Sequence, residues 1–514
     1  MKKLTAFSLI FPIFSVIYAQ IEPRAVGYYN DALIFAQNTM PMGTARTQAL
    51  GGTGVTMGAD LYSCILNPAG LGLAKRGQVT LGLGMNNFGA STDYISKTIE
   101  DSYSFLKLNH FGWISPLTTS TENSGNSLSS GSIAVSITRS NNYQKRFEYE
   151  GINTRSTMAD RFSFLADGIH ARVFENEAAT GEIYDLASLA YATFVINPYV
   201  NDSTSYYTEF RDINDNLVAP IRQRESYRVR GGETMINISY GSSINDKFYW
   251  GAGFGIGSIR YKLSSIYEEN LTRQATVNEL QSFSLTNQRS VTGGGVNFNF
   301  GFIYRPVEMF RIGGSVQSPT AYLLTEIDDN EMTATFAGSS FQPATARMVQ
   351  SQLDYNFVSP WRLNTGILVQ FKKFGFFTAE AEWVTYGGMN LSTDVDVQGF
   401  SLDADNRTIK NLYKTALNLR AGLEGRTGIF RGRLGVAYFQ DPYKIKLDDL
   451  NRNIMSYTGG IGIFSKNSAI DLAVTYTAYR SIYTPYTLPN PDFYYSAESK
   501  NSMLAILLGL TLFF

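Results

Sequence analysis

The C-terminal end of the chain alternates strictly. Phe514, Leu512, Leu510, Leu508, Ile506 and Leu504 share one parity, and Phe513, Thr511, Gly509, Leu507, Ala505 and Met503 share the other. Successive side chains of a strand point to opposite faces, so this is a strand with one uniformly apolar face and one smaller, mixed face. The same asymmetry recurs upstream. Val296, Phe298, Phe300, Phe302 and Tyr304 oppose Asn297, Asn299, Gly301 and Arg305. Trp361, Leu363, Ile367 and Val369 oppose Arg362, Asn364 and Gln370, while Phe377, Ala379, Ala381 and Trp383 oppose Glu380 and Glu382. Leu417, Leu419, Ala421 and Leu423 oppose Asn418, Arg420 and Glu424, and Leu434, Val436 and Tyr438 follow a face carrying Arg431 and Arg433.

The connections decide between a sandwich and a barrel. Short turns at 243–247, 305–309, 372–375, 425–428 and 465–468 alternate with long polar loops at 151–225, 264–285, 320–350, 390–408, 440–454 and 481–499. Short turns on one side and long loops on the other mark an outer-membrane barrel. A bilayer also explains closure, because lipid offers no water to an open strand edge. The pattern predicts an all-β fold: a 14-stranded antiparallel transmembrane β-barrel, with strands at 77–90, 104–116, 130–148, 222–242, 247–264, 286–305, 309–320, 349–371, 375–389, 409–425, 428–440, 454–465, 468–481 and 499–514. The even count returns both termini to one side, read as periplasmic. The connection 117–129 is long for a turn, and Pro360 predicts a bend in the eighth strand.

Two stretches do not alternate. Residues 43–73 are rich in glycine and small side chains and end in Asn67-Pro68-Ala69-Gly70-Leu71. We read 20–76 as an N-terminal lead and a hatch, or plug, held inside the barrel of 77–514. Gly251, Gly253, Gly255 and Gly257 form one face of a strand and leave room for another backbone. The second stretch is the loop 151–225, too long for plain connection. Met158, Phe162, Leu165 and Ile169 fall at helical spacing, as do Ile183, Leu186, Ala187, Ala190 and Phe194. These predict two short helices over the extracellular mouth, with Phe162, Leu165, Ile169, Leu186 and Phe194 as an apolar capture surface.

Residues 1–19 read as a signal peptide: Lys2 and Lys3, an apolar run from Leu4 to Ile17, then Ala19. No later run reaches the roughly 18 apolar residues of a spanning helix. With a net charge of −1, the chain has no electrostatic case for nucleic acid. Two histidines, His110 and His170, and one cysteine, Cys64, leave little for metal sites or Cys/His catalysis. No enzyme, metal site or cofactor is expected. Gly52-Thr53-Gly54 lacks the βαβ unit of a dinucleotide loop. The charged residues of the inner faces, Glu380, Glu382, Arg420, Glu424, Arg431 and Arg433, predict a polar patch in the lumen. Its partners are either internal ion pairs, including pairs to the plug, or the head group of a ligand, with Arg420 and Arg433 opposite each other across the 425–428 turn.

The ordered set Ala49-Leu50-Gly51-Gly52-Thr53-Gly54, Asn67-Pro68-Ala69-Gly70-Leu71, Asn299 to Pro306, Arg311 to Pro319, Ser359-Pro360-Trp361, Glu380 to Trp383 and Arg433 to Tyr438 resembles the FadL/TodX family of outer-membrane channels for long-chain fatty acids and other hydrophobic compounds. The resemblance implies a 14-stranded barrel, a hatch governed by Asn67, Pro68 and Ala69, and an inward kink of the third strand opening a lateral exit. Ser140, Asn141, Asn142 and Tyr143 lie where that kink falls. The implied function is passive transport of hydrophobic small molecules, fatty acid-like or aromatic, by a monomeric, multi-pass protein of a Gram-negative outer membrane, in contact with its lipid and lipopolysaccharide. The alternatives are a non-transporting barrel acting as a docking or shuttle partner in protein secretion and, weakened by the scarcity of histidine, uptake of haem compounds.

Overall fold

The computed structural model describes residues 27–117, 131–338, 342–394, 401–444 and 450–514. The signal-peptide reading of 1–19 and most of the 117–129 connection lie outside these. Fourteen antiparallel strands form a closed barrel. They are β1 (Gln78–Tyr94), β2 (Lys97–Leu117), β3 (Gly131–Asn142, resuming as Lys145–Asn153), β4 (Ile221–Ile244), β5 (Phe248–Leu271), β6 (Leu280–Val307) and β7 (Phe310–Gln317, resuming as Ala321–Phe336). They continue with β8 (Ser351–Val358, resuming as Arg362–Gln370), β9 (Gly375–Thr385), β10 (Thr415–Thr427), β11 (Phe430–Phe439), β12 (Ile454–Phe464), β13 (Ser468–Tyr483) and β14 (Ala497–Phe513). Closure is made by β1 on β14, paired from Gln78↔Phe513 to Asp93↔Glu498.

The apolar parity of each strand faces out. Leu504, Ile506, Leu508, Leu510 and Leu512 are exposed on β14, as are Val296, Phe298, Phe300 and Phe302 on β6. A continuous exposed apolar surface of this kind needs an apolar surrounding. The opposite parity is buried and polar: Asn297 and Asn299 on β6, Glu380 and Glu382 on β9, Arg433 on β11.

Several boundaries differ from the sequence reading. Residues 91–103, between the first two expected strands, form a continuous hairpin that reverses at Ile95 and Ser96, with φ of 42° and 64°. Strands β5 and β6 run further than expected, to Leu271 and from Leu280. Residues 409–412, expected in the tenth strand, belong to a helix, and the ninth strand ends at Thr385 rather than 389. The eighth strand is interrupted around Pro360, and β7 is interrupted at the same level around Pro319. The wall stays joined there, because Ser359 N donates to Thr320 O at 3.0 Å and Thr320 N to Ser359 Oγ at 2.8 Å.

The loop between β3 and β4 holds three helices, not two: α4 (Met158–Ala166), α5 (Ala171–Thr180) and α6 (Leu186–Ala192). Before β1 lie α1 (Tyr28–Ala36), α2 (Ala45–Gln48) and α3 (Ser63–Leu66), then a 3₁₀ turn at Pro68–Leu73. Helix α7 (Asp403–Leu412) follows β9. Helix α4 has a capping box, in which Thr157 and Asp160 satisfy each other's backbone N–H groups. Helix α5 ends at Gly181 with φ of 74°, and α6 starts at Asp185, whose carboxylate accepts from Ser188 N at 2.8 Å.

Candidate functional site

Residues 28–73 pack on the inner wall, and their backbone is held by side chains of the strands. Glu380 Oε1 on β9 accepts from Gly54 N at 2.8 Å and Val55 N at 2.7 Å. Thr458 Oγ1 on β12 accepts from Gly51 N at 2.9 Å. Asn299 Nδ2 on β6 donates to the carbonyls of Cys64 and Ile65 at 2.8 and 2.9 Å. Asn67 caps the 3₁₀ turn by accepting from Ala69 N, and its amide donates to Val55 O at 2.7 Å and to Phe302 O at 3.1 Å. Asn67 therefore ties two arms of the segment to β6. Pro68 and Ala69 lie against β5, where a Cβ on Gly251 would sit 2.4 Å from the Pro68 carbonyl carbon. Only glycine lets the two backbones come this close.

Four of the six charges expected on the inner wall, Glu382, Arg420, Glu424 and Arg433, are ion-paired. Glu382 binds Arg420 at 2.6 Å and Arg362 at 3.1 Å. Glu424 binds Arg433 and Arg426 at 2.7 Å and approaches Arg46 of α2 at 3.7 Å, while Arg433 also holds Asp471 of β13 at 2.5 Å. Arg420 and Arg433 do not face each other. Arg420 lies opposite Ala437, and Arg433 lies opposite Glu424. Arg431 stands apart at the turn, donating to the carbonyls of Gly428 and Phe430 at 2.8 Å. Sequence parity gave the face of each residue, Arg362 included, but not its partners, and it missed Arg46 and Asp471.

Above the segment lies a cavity of about 410 Å³. Its floor is Tyr28, Asp31 and Ile34 of α1. Its roof is Met158, Phe162 and Leu165 of α4 with Leu186 of α6, and Tyr143, Tyr227, Tyr261 and Tyr483 stand in its walls. One end is charged, where Arg289 of β6 pairs with both Asp31 and Glu326. Of the five residues expected on a capture surface, Phe162, Leu165 and Leu186 line this cavity. Ile169 is packed against the loop core, and Phe194 projects from the loop surface. The roof is pinned by the buried carboxylate of Glu269 on β5, which accepts from Met158 N at 2.7 Å, Gln223 Nε2 at 2.8 Å and Tyr267 OH at 2.6 Å, and from Thr157 Oγ1. A carboxylate at a helix N-terminus satisfies orphan donors and complements the dipole.

The backbone ladder is interrupted beside β3. The β2–β3 ladder runs from Leu117↔Gly131 to His110↔Thr138 and stops. The register with β4 shifts between Arg139 and Asn141, and the strand breaks at Tyr143 and Gln144. Its second part pairs with β4 alone. Opposite the break, Gly231 and Gly232 of β4 have φ of 131° and 155°. Above the break β2 and β3 meet through side chains: Arg146 with Asp101 at 2.7 Å, Lys97 with Glu150 at 2.9 Å, and Tyr103 OH to Gln144 at 3.1 Å. Asn141 and Tyr143 turn inward to the end of α1. Asn141 Nδ2 donates to Gln37 O at 3.0 Å and Phe35 O at 3.4 Å, and Tyr143 OH to Phe35 O at 3.4 Å. Ser140 Oγ donates to Glu233 at 2.7 Å, and Asn142 is buried beside it.

The histidines have local roles. His170 accepts from Arg172 N and caps α5. His110 is buried on β2 beside Asn109, whose amide donates to Gly43 O at 2.8 Å.

No family model matches the sequence, and no curated protein matches it either. Solved structures do. A FadL homologue of Pseudomonas aeruginosa aligns at 12% identity over 93% of this chain and 98% of that one, with a TM-score of 0.52. The Pseudomonas putida toluene transporter TodX aligns at 12% identity over 93% of this chain and 100% of that one, with a TM-score of 0.50. At this identity the likeness is one of fold: the chain has the barrel fold of the FadL and TodX channels.

Proposed function

We propose that this protein is a passive channel of a Gram-negative outer membrane, and that it carries hydrophobic small molecules. The observation that supports this most is the juxtaposition of an apolar, tyrosine-walled cavity with an interrupted strand, both touching one helix. A lining of aliphatic and tyrosine side chains, with polar groups that include Lys145, Arg161 and the Arg289 cluster, suits a small ligand that is apolar over most of its surface. In this reading the substrate enters under α4 and α6 and rests on α1. It leaves when residues 28–73 shift as a hatch, sideways through the β3 break. Phe35 stands in the way. Its ring lies 5.5 Å from Tyr143, 5.6 Å from Tyr261 and 6.2 Å from Phe357, between the large cavity and one of about 70 Å³ beside Ser140. The toluene transporter of the same fold is consistent with an apolar cargo. The cavity favours transport over a sealed docking barrel.

The test is entry of a hydrophobic fluorescent probe, N-phenylnaphthylamine, into cells carrying the protein in their outer membrane. Ile34→Trp fills the cavity and should slow entry. Asn67→Ala removes the tie between the segment and β6 and should speed it. Unchanged entry in both, with the barrel folded, would sink the channel reading.

A further inference from the structure

The outward face of β4 and β5 changes character along the strands. Ile236, Ile238 and Ile244 on β4 and Phe248 and Ile256 on β5 are exposed and apolar, and Val296 to Phe302 continue the band on β6. Beyond Thr234 and Gly232 on β4, Ser258 on β5 and Gly294 on β6, the outward positions toward the long loops are Arg230 and Arg228 on β4, Arg260 and Lys262 on β5, and Thr292, Ser290 and Gln288 on β6. Arg230 lies directly opposite Lys262, and Arg260 lies opposite Thr292. Two cations facing each other across a ladder repel.

Among the described residues none of Arg228, Arg230, Arg260 and Lys262 makes an ion pair, and nearby carboxylates are taken: Asp101 by Arg146, Glu148 by Arg224, Asp329 by Arg347. Higher on the same face the charges balance, for Arg224 has Glu148 at 3.4 Å on one side and Glu268 opposite it on the other. Arg228, Arg230 and Lys262 border a shallow cavity of about 430 Å³, which Ser264, Gln288, Ser290 and the Arg347-paired Asp329 also line. Arg228 lies 5.9 Å from the Tyr103 ring, and its Nε is buried without a hydrogen-bond partner.

We propose that this cluster binds the phosphorylated head group of a lipid in the leaflet on the long-loop side. The inference rests on the membrane reading above. Guanidinium groups bind phosphate oxygens in pairs, the hydroxyl and amide groups supply further donors, and the apolar band below accepts acyl chains. The position at the rim of that band favours a lipid over a soluble acidic protein.

Insertion of the full chain into phosphatidylcholine vesicles is measured first, so that failure of the membrane reading shows separately. Binding of lipid A carrying two phosphates is then followed by native mass spectrometry from an uncharged detergent, with dephosphorylated lipid A and inorganic phosphate as comparisons. The quadruple variant R228Q/R230Q/R260Q/K262Q should bind lipid A at least about tenfold more weakly, the scale of a few lost charge-assisted contacts, and R222Q/R224Q should bind as wild type. The four side chains make no ion pair, so the barrel should fold without them; if it does not, R230Q and K262Q singly carry the test. Equal binding by the quadruple variant or by dephosphorylated lipid A would overturn the proposal. So would inorganic phosphate displacing the lipid at equal concentration, which would make this an ion site.

Discussion

Replacing Glu380 by alanine should loosen residues 43–73 from the wall and leave the barrel closed. The carboxylate holds the amides of Gly54 and Val55 through one oxygen, and both residues are buried. Its removal leaves two buried N–H groups without an acceptor, at about 1–3 kcal/mol each. With partial relaxation the cost is about 3 kcal/mol, roughly a hundredfold in the opening equilibrium. The single cysteine reports it. Cys64 is fully buried, burial pushes its thiol up to about 12, and its carbonyl is held by Ser239 Oγ at 2.9 Å and Asn299 at 2.8 Å. Maleimide at pH 7.5 should therefore label it only when the segment opens. If reclosing outpaces labelling, the rate tracks the open population. Glu380→Ala should label about a hundredfold faster than wild type, and Glu380→Gln, which keeps an acceptor, less than about tenfold faster. Labelling of Glu380→Ala at the wild-type rate would refute the reasoning. So would loss of the barrel's heat-modifiable gel mobility in step with labelling, because Glu380 would then hold the wall and not the segment.

Arg433→Gln should lower the temperature at which the folded gel band is lost, since Asp471 would be left buried without its cation while Glu424 keeps Arg426, at about 3 kcal/mol. Glu269→Ala should free the N-terminus of α4 and speed protease cleavage between residues 154 and 220 at least about tenfold, with an unchanged barrel melting temperature. Burial raises the Asp31 carboxyl from 3.8 to about 6 despite the pull of Arg289. The docked α1 therefore holds a proton that the released helix lacks between those values, so docking is favoured below about pH 4 and weakens as pH rises to about 6. Protease cleavage within 28–36 should follow that rise in wild type and be flat across it in Asp31→Asn.

The sequence was legible where lipid imposed the pattern. Outward positions facing a bilayer must be apolar and inward ones need not be, so the parity of β6 and β14 could be read directly. Past the bilayer both faces meet water or polar protein, and the constraint lapses. That is why the strand ends at Thr92–Tyr94, Leu271 and Leu280 were not visible. Helix α5 was missed for a related reason. Only Ala171 and Phe174 of its ten residues are buried, and two apolar positions show no period. Charge parity placed Glu382, Arg420, Glu424 and Arg433 on the inner wall. It did not give their pairing, which depends on register between strands far apart in sequence.

The break in β3 shows how a local reading can look in the wrong place. Residues 140–143 contain no glycine or proline, and by themselves they give no reason for a strand to leave its ladder. The reason is on the neighbour, where Gly231 and Gly232 take backbone angles that other residues avoid, and the Arg139 guanidinium packs over Gly232. Once β3 leaves the ladder, Asn141 and Tyr143 have donors to place, and α1 has C-terminal carbonyls with no partner of their own. Each satisfies the other at Phe35 and Gln37. The helix that floors the cavity through Tyr28, Asp31 and Ile34 is thus hydrogen-bonded to the strand at its break. One helix of nine residues therefore lines the cavity and holds the β3 break, and in the channel reading proposed above its undocking should loosen both.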